Sequence, residues 1–231
     1  ACRIIRMTSN AAIIVAAGVS ARMGSIDKAF TNLAGRPLIC HSVDTFLNSN
    51  LFDSIVVVVA ESKYEQSKDV LSEFISNGAE VVIGGSRRQD SVRNGLKAIP
   101  KCTFVAIHDG ARPCVALDVL RRGLDAVKYS GAVVPAVPVV DTFKRINESD
   151  QVLSTLARNS IRLIQTPQIF EYDLVVRAHR DVLRDSPDDA FMVEQIGEPV
   201  TLYDGDPDNI KITRPIDLKI AESILISDRG D

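Results

Sequence analysis

Five short aliphatic runs, at residues 11–17, 54–60, 79–83, 103–108 and 132–137, constrain the fold of this chain more than any other feature. Most are rich in Val and Ile and few polar residues interrupt them, which is the pattern of strands buried on both faces. Between them lie stretches of helical length, 37–48, 62–77, 88–98 and 117–128, several with apolar residues at helical spacing. Strands buried on both sides need helices on both sides, so the alternation predicts an α/β doubly wound fold around a mostly parallel sheet. In such sheets ligands sit beyond the carboxyl ends of the strands, so the residues following each run are the functional candidates.

Residues 138–159 break this rhythm. Two extended stretches, 139–146 and 152–157, flank the turn Asn147-Glu148-Ser149-Asp150 and predict a protruding β-hairpin arm. From pattern alone, an arm covered by a second subunit and a hairpin folded against its own domain remain equally open. A further strand at 200–204 and a helix opening near Pro215 complete the expected elements. No repeat or low-complexity linker appears, so residues 1–231 read as a single domain.

Apolar residues make up 45% of the chain and charged residues 25%, which sets aside disordered and fibrous classes. A net charge of −3 offers no general attraction to nucleic acid or an anionic membrane, so phosphate binding has to be local. The aliphatic run at 55–60 is far too short to span a bilayer, and residues 1–10 carry Arg3 and Arg6 without the apolar segment of a secretory signal. A start at Met7 would leave residues 1–6 as an extension. Cys2, Cys40, Cys102 and Cys114 have neither CxxC nor zinc spacing, which fits reduced thiols and predicts a cytoplasmic protein.

The first run leads into Gly18-Val19-Ser20-Ala21-Arg22-Met23-Gly24 and then Asp27-Lys28-Ala29. Small residues let such a loop approach a ligand closely, yet it lacks the GK[ST] ending of a Walker loop, and Ser20 and Met23 stand where the dinucleotide fingerprint needs glycine. Arg22 and Lys28 could neutralise a triphosphate, although a solvated loop with two cations has the same sequence. After the third run, Gly84-Gly85-Ser86-Arg87-Arg88-Gln89-Asp90-Ser91 enters a helix with backbone amides and Ser91 available to a base, or serves only as a helix cap. After the fourth, His108-Asp109-Gly110-Ala111-Arg112-Pro113 places an acid and a base at the expected cleft; the bland reading is an Asp109–Arg112 pair bracing a turn.

Taken in order, these motifs resemble those of the 2-C-methyl-D-erythritol 4-phosphate cytidylyltransferase family. The resemblance extends to Asp208-Asn209-Ile210-Lys211-Ile212-Thr213-Arg214-Pro215 and, more weakly, to Asp141-Thr142-Phe143-Lys144 with Arg158-Asn159. It implies a nucleotide-diphospho-sugar transferase-like fold, a homodimer clasped by arms at 138–159, and transfer of CMP from CTP to the acceptor in the non-mevalonate isoprenoid precursor pathway. By the same resemblance Arg22 and Lys28 hold the triphosphate, while Ala16, Ala17, Gly18, Gly85 and Ser91 line the nucleotide pocket with Arg88 close by. Asp109, Arg112, Thr142, Arg158 and Lys211 position the acceptor, Thr142 and Arg158 reaching across from the partner's arm. Arg22, Lys28, Arg158 and Lys211 are the catalytic set.

A phosphate monoester has its second ionisation near about pH 6 and is already a nucleophile, so no histidine base is required. Two polyanions must still approach, which calls for these cations and a divalent ion, most simply magnesium carried on the CTP phosphates rather than in a protein cage. The chain departs from the family where Asp27-Lys28-Ala29 replaces Pro-Lys-Gln, and where Pro187-Asp188-Asp189 replaces Thr-Asp-Glu and so removes a hydroxyl. Ribitol 5-phosphate cytidylyltransferases share the glycine loop, the aspartate–arginine motif and the C-terminal lysine segment, so that acceptor stays open. A non-catalytic nucleotide-binding module is the alternative of another class.

Overall fold

The computed structural model describes residues 9–18 and 28–227. Strand β1 (Asn10–Ala16) is followed by the ribbon β2 (Asn32–Leu33) and β3 (Arg36–Pro37), helix α1 (Leu38–Asn48) and β4 (Ser54–Val59). Then come α2 (Tyr64–Val70), α3 (Ser72–Ser76), β5 (Ala79–Ile83), α4 (Arg88–Ala98), β6 (Phe104–Asp109), α5 (Leu117–Ser130) and β7 (Ala132–Pro138). The hairpin β8 (Lys144–Ile146) and β9 (Val152–Thr155) precedes β10 (Arg162–Ile164), β11 (Gln168–Glu171), α6 (Tyr172–Asp181), α7 (Asp189–Gln195), β12 (Thr201–Asp204) and α8 (Pro215–Ser227).

The main sheet runs β10-β7-β11-β6-β1-β4-β5, with β12 parallel to β7. Strands β6, β1, β4 and β5 are parallel, and β11 enters antiparallel between β6 and β7. β1 shows why its run lacks polar alternation. Ala12 and Ile14 enter the core under α1 and α5, with Phe46 and Leu120; Ala11, Ile13 and Val15 enter the opposite core under α4, α6 and α7, with Val92, Val175 and Met192. Both sheet faces are covered, as the continuous runs require.

The expected helix at 62–77 is divided: a 3₁₀ turn, Glu61–Lys63, precedes α2, and Leu71 separates α2 from α3. The Ser67 hydroxyl donates to Lys63 O at 2.6 Å, a side-chain bond that bends helices. The hairpin forms, but its ladder is confined to residues 144–146 and 152–155, extended by Leu156 N–H donating to Phe143 O at 3.0 Å, and residues 139–142 are not strand. Its turn is set by Asn147, whose Oδ1 accepts from the backbone N–H of Ser149 and of Gln151 at 3.0 and 2.9 Å. Strands β10 and β11 and helix α6 lie in a region the sequence reading leaves unassigned. The two strands have only 3 and 4 residues and owe their form to partners on β6 and β7, far along the chain, which no local pattern announces.

Candidate active site

Four segments leave the carboxyl ends of the parallel strands together. Ala17 and Gly18 follow β1, Ala60 and Glu61 follow β4, the loop 84–87 follows β5, and Gly110 and Ala111 follow Asp109 at the end of β6. With Lys211 they enclose a cavity of about 610 Å³, a size suited to a small-molecule ligand. β4 and β5 lie to one side of β1 and β6 to the other, so the cavity sits where the strand order reverses.

The wall after β5 needs glycine because backbone and neighbours meet there. A Cβ at Gly84 would lie 2.6 Å from the Ala17 methyl and 2.7 Å from Ser91 Oγ. The Ser91 hydroxyl accepts from Gly85 N–H at 3.1 Å and donates to Arg87 O at 3.1 Å. Ser91 therefore shapes the loop from beneath, and its hydroxyl is not the unengaged group that the sequence suggests.

Asp109 joins two cations of the cavity wall, Arg88 and Lys211. Its Oδ2 accepts from Lys211 Nζ at 2.6 Å and its Oδ1 from Arg88 Nε at 3.2 Å, whereas Arg112 Nε stands 4.0 Å away. The expected Asp109–Arg112 brace is thus the weakest of three contacts. Burial alone would raise the Asp109 pKa, but the charges of Arg88 and Lys211 overcome it and hold the carboxyl well below the usual carboxylate range. Burial likewise works against Arg88, yet Asp189 and Asp109 together raise its pKa above the ordinary guanidinium value. Arg112 is lowered, chiefly by burial.

A one-way hydrogen-bond chain fixes the end of β6. Asp109 N–H donates to Thr166 Oγ1 at 3.0 Å, the Thr166 hydroxyl donates to His108 Nδ1 at 3.1 Å, and His108 Nε2–H donates to Arg112 O at 3.1 Å. Burial pushes the His108 pKa down to about 4, with Asp109 opposing, so the imidazole is neutral and its polar atoms are engaged in structure. The segment carrying Lys211 is stitched on by Ile212 N–H to Ala111 O at 2.8 Å and Arg112 Nη1 to Asn209 O at 2.7 Å.

Among the described residues no cluster of three or more His, Cys, Asp or Glu could hold a metal ion. Asp109 and Glu61 are the carboxylates in the cavity wall, and Asp109 already serves two cations. This donor set fits a divalent ion that arrives on a ligand's phosphates and takes at most one oxygen from the protein.

A sequence profile of the 2-C-methyl-D-erythritol 4-phosphate cytidylyltransferase family matches residues 10–227. The chain belongs to this family. A relative of that name from Dehalococcoides mccartyi is 42% identical over 93% of this chain and 95% of its own, and one from Caldanaerobacter subterraneus is 41% identical over 93% and 97%. The crystal structure of 4-diphosphocytidyl-2C-methyl-D-erythritol synthase from Anaerococcus prevotii aligns with a TM-score of 0.84 at 28% identity, over 95% of this chain and 99% of that one. The Thermus thermophilus 2-C-methyl-D-erythritol 4-phosphate cytidylyltransferase aligns with a TM-score of 0.76 at 30% identity, over 95% and 100%.

Within this cytidylyltransferase fold, Ala16, Ala17, Gly18, Gly85, Arg88, Ser91, Asp109 and Lys211 all line the one cavity, and Arg112 is held beside it through Asn209. Arg22 falls outside the described residues; Lys28 opens a 3₁₀ turn, Lys28–Phe30, whose Ala29 lines the cavity. Thr142 and Arg158 lie on the arm and not in the cavity wall of their own chain; Arg158 Nη1 donates to Val140 O at 2.9 Å. Pro187 is absent from the cavity wall, and the next residue, Asp188, caps α7 by accepting from Phe191 N–H at 2.8 Å. The sequence reading omits Glu61, although its place directly after β4 marks it by the rule for strand ends, and Asp189, which nothing local marks.

Proposed function

We propose that the cavity is where CTP binds and where its CMP unit passes to 2-C-methyl-D-erythritol 4-phosphate, giving the CDP-alcohol and pyrophosphate. The observation that carries this reading is the meeting of glycine-lined backbone with the Arg88–Asp109–Lys211 array at the strand-order switch of a chain from this family. An oxygen of the acceptor phosphate attacks the α-phosphorus, the bond from that phosphorus to the bridging oxygen breaks, and pyrophosphate leaves with the electron pair. At neutral pH the acceptor phosphate is largely a dianion, so no proton has to be removed, in keeping with a His108 that is neutral and fully engaged.

Charge and position then account for the rate. In this reading Lys211 and Arg112 hold the acceptor phosphate, and Asp109 offers its remaining lone pairs to an acceptor hydroxyl or to the cation. Arg22 and Lys28 take the triphosphate and the charge that grows on the leaving pyrophosphate. Magnesium, bound chiefly through CTP, would further offset the charge on the phosphates; Glu61 and Asp109 are the cavity-wall carboxylates that could lend it an oxygen.

The product is an isoprenoid precursor in the non-mevalonate pathway. We place the enzyme in the cytosol: burial raises the pKa of the Cys40 and Cys102 thiols and keeps them protonated and unreactive, as suits reduced cysteines. The arm supports a homodimer. Val140 is 84% and Leu153 57% exposed, with Ile146, Val152 and Leu156 also uncovered, an apolar surface that a second copy would bury. That copy would bring its Thr142 and Arg158 to the acceptor.

Thermal unfolding tests the nucleotide assignment, since only a ligand that binds the native state stabilises it. CTP with magnesium is expected to raise the midpoint and NAD to leave it unchanged; a rise with NAD alone would remove the assignment.

A further inference from the structure

Behind the cavity wall lies a second buried carboxylate that the reaction does not use. Asp189, at the start of α7, is 0% exposed. Its Oδ2 accepts from Arg88 Nη1 at 2.7 Å and its Oδ1 from His179 Nε2 at 3.0 Å. Neither Asp189 nor His179 lines the cavity, while Arg88, Asp109 and Lys211 do. The groups form one line, His179–Asp189–Arg88–Asp109–Lys211, in which each carboxylate divides its two oxygens between two donors.

The backbone around Asp189 is clamped. Gln168 donates Nε2 to Asp188 Oδ2 at 2.8 Å and accepts from Ala190 N–H at 3.0 Å. Arg93 ties α4 to α6 through His179 O and Val182 O at 3.0 and 2.9 Å, and Gln89 holds Arg184 O and Ser186 N–H at 3.1 and 3.0 Å. The carboxylate therefore meets Arg88 from a fixed point on another element.

A guanidinium favours two-pronged contact with a single carboxylate. Released from Asp189, Arg88 would turn both prongs to Asp109 and compete with Lys211 for the Oδ2 it now holds. We propose that Asp189 is a positioning residue for the acceptor: by holding Arg88 from behind it confines that guanidinium to one oxygen of Asp109 and leaves the other to Lys211. His179 supports it from the far side. Asp189 is the one polar partner the structure gives its ring, and Nδ1 is buried without a hydrogen-bond partner among the described residues. The inference rests on the reading of Asp109 and Lys211 as acceptor residues.

Steady-state kinetics with CTP and 2-C-methyl-D-erythritol 4-phosphate varied separately test it. Asp189→Asn is expected to raise the acceptor KM roughly ten- to a hundredfold, as displaced supporting residues do, while the KM for CTP stays near wild type. Asp189→Glu, which keeps the charge, recovers part of the loss. An unchanged acceptor KM overturns the proposal, as does a loss shared equally by both substrates and tracking the fraction of folded protein. Should Asp189→Asn fail to fold, His179→Phe decides: it keeps a ring and removes the contact to Asp189, and an unchanged acceptor KM in that folded variant is equally contrary. An inactive wild type overturns the underlying reaction and this role with it, whereas an active wild type with an indifferent Asp189→Asn overturns the role alone.

Discussion

Asp109 keeps its charge in a nearly dry setting because Lys211 and Arg88 each take one of its oxygens, and its backbone N–H is the first donor of the chain through Thr166 to His108. The His108 pKa, about 4 when folded, lies below its ordinary value of 6.5, so between these values the unfolded chain binds a proton that the folded protein refuses. The stability held above the upper value is therefore lost as pH falls through this window. From about pH 7 to about pH 5 His108 is expected to remove about 2 kcal/mol, read by urea unfolding as the part of the pH dependence missing from His108→Gln. A variant with the full wild-type dependence would contradict the neutral His108. Asp109 was legible in the sequence because it stands where a strand must end. Its partner Lys211 lies 102 positions away, and Asp189 lies 101 from Arg88, so only the folded chain reveals which charges share an oxygen.

Helix α4 begins at the cavity with Arg88 and rests on β1 through Gly95, where an added Cβ would stand 2.6 Å from Ile13 Cγ2 and 3.1 Å from Val58 Cγ2. Alanine is the better helix former by about 1 kcal/mol, yet the required shift should cost more, so Gly95→Ala is expected to lower stability by about 1–3 kcal/mol in equilibrium unfolding. A more stable variant would mean that α4 can lift from β1 without strain. Both α4 and β1 were legible because continuous apolar runs and helical spacing are local signals. β11 was not: its residues Gln168–Glu171 are too few for a periodic signal and stay unassigned by sequence, and only pairing with β6 and β7 makes them a strand. The hairpin was legible through its turn residues, but its length was not, since a ladder ends where its partner ends.

For the molecule as a whole, the proposed dimer would divide each site between two chains: Arg22, Lys28, Asp109 and Lys211 from one, Thr142 and Arg158 from the arm of the other. Lys28→Ala and Arg158→Ala chains, each inactive alone, should therefore regain about a quarter of wild-type activity when co-refolded, since half of the dimers are mixed and each has one site with both residues intact. No regain would place Arg158 in the same chain's site or outside catalysis. The acceptor identity is the central claim, and pyrophosphate release from CTP and magnesium, with 2-C-methyl-D-erythritol 4-phosphate or ribitol 5-phosphate supplied separately, tests it most directly. Release with the methylerythritol phosphate and none with ribitol phosphate is the predicted result; release with ribitol phosphate alone, or with neither despite bound CTP, would contradict it.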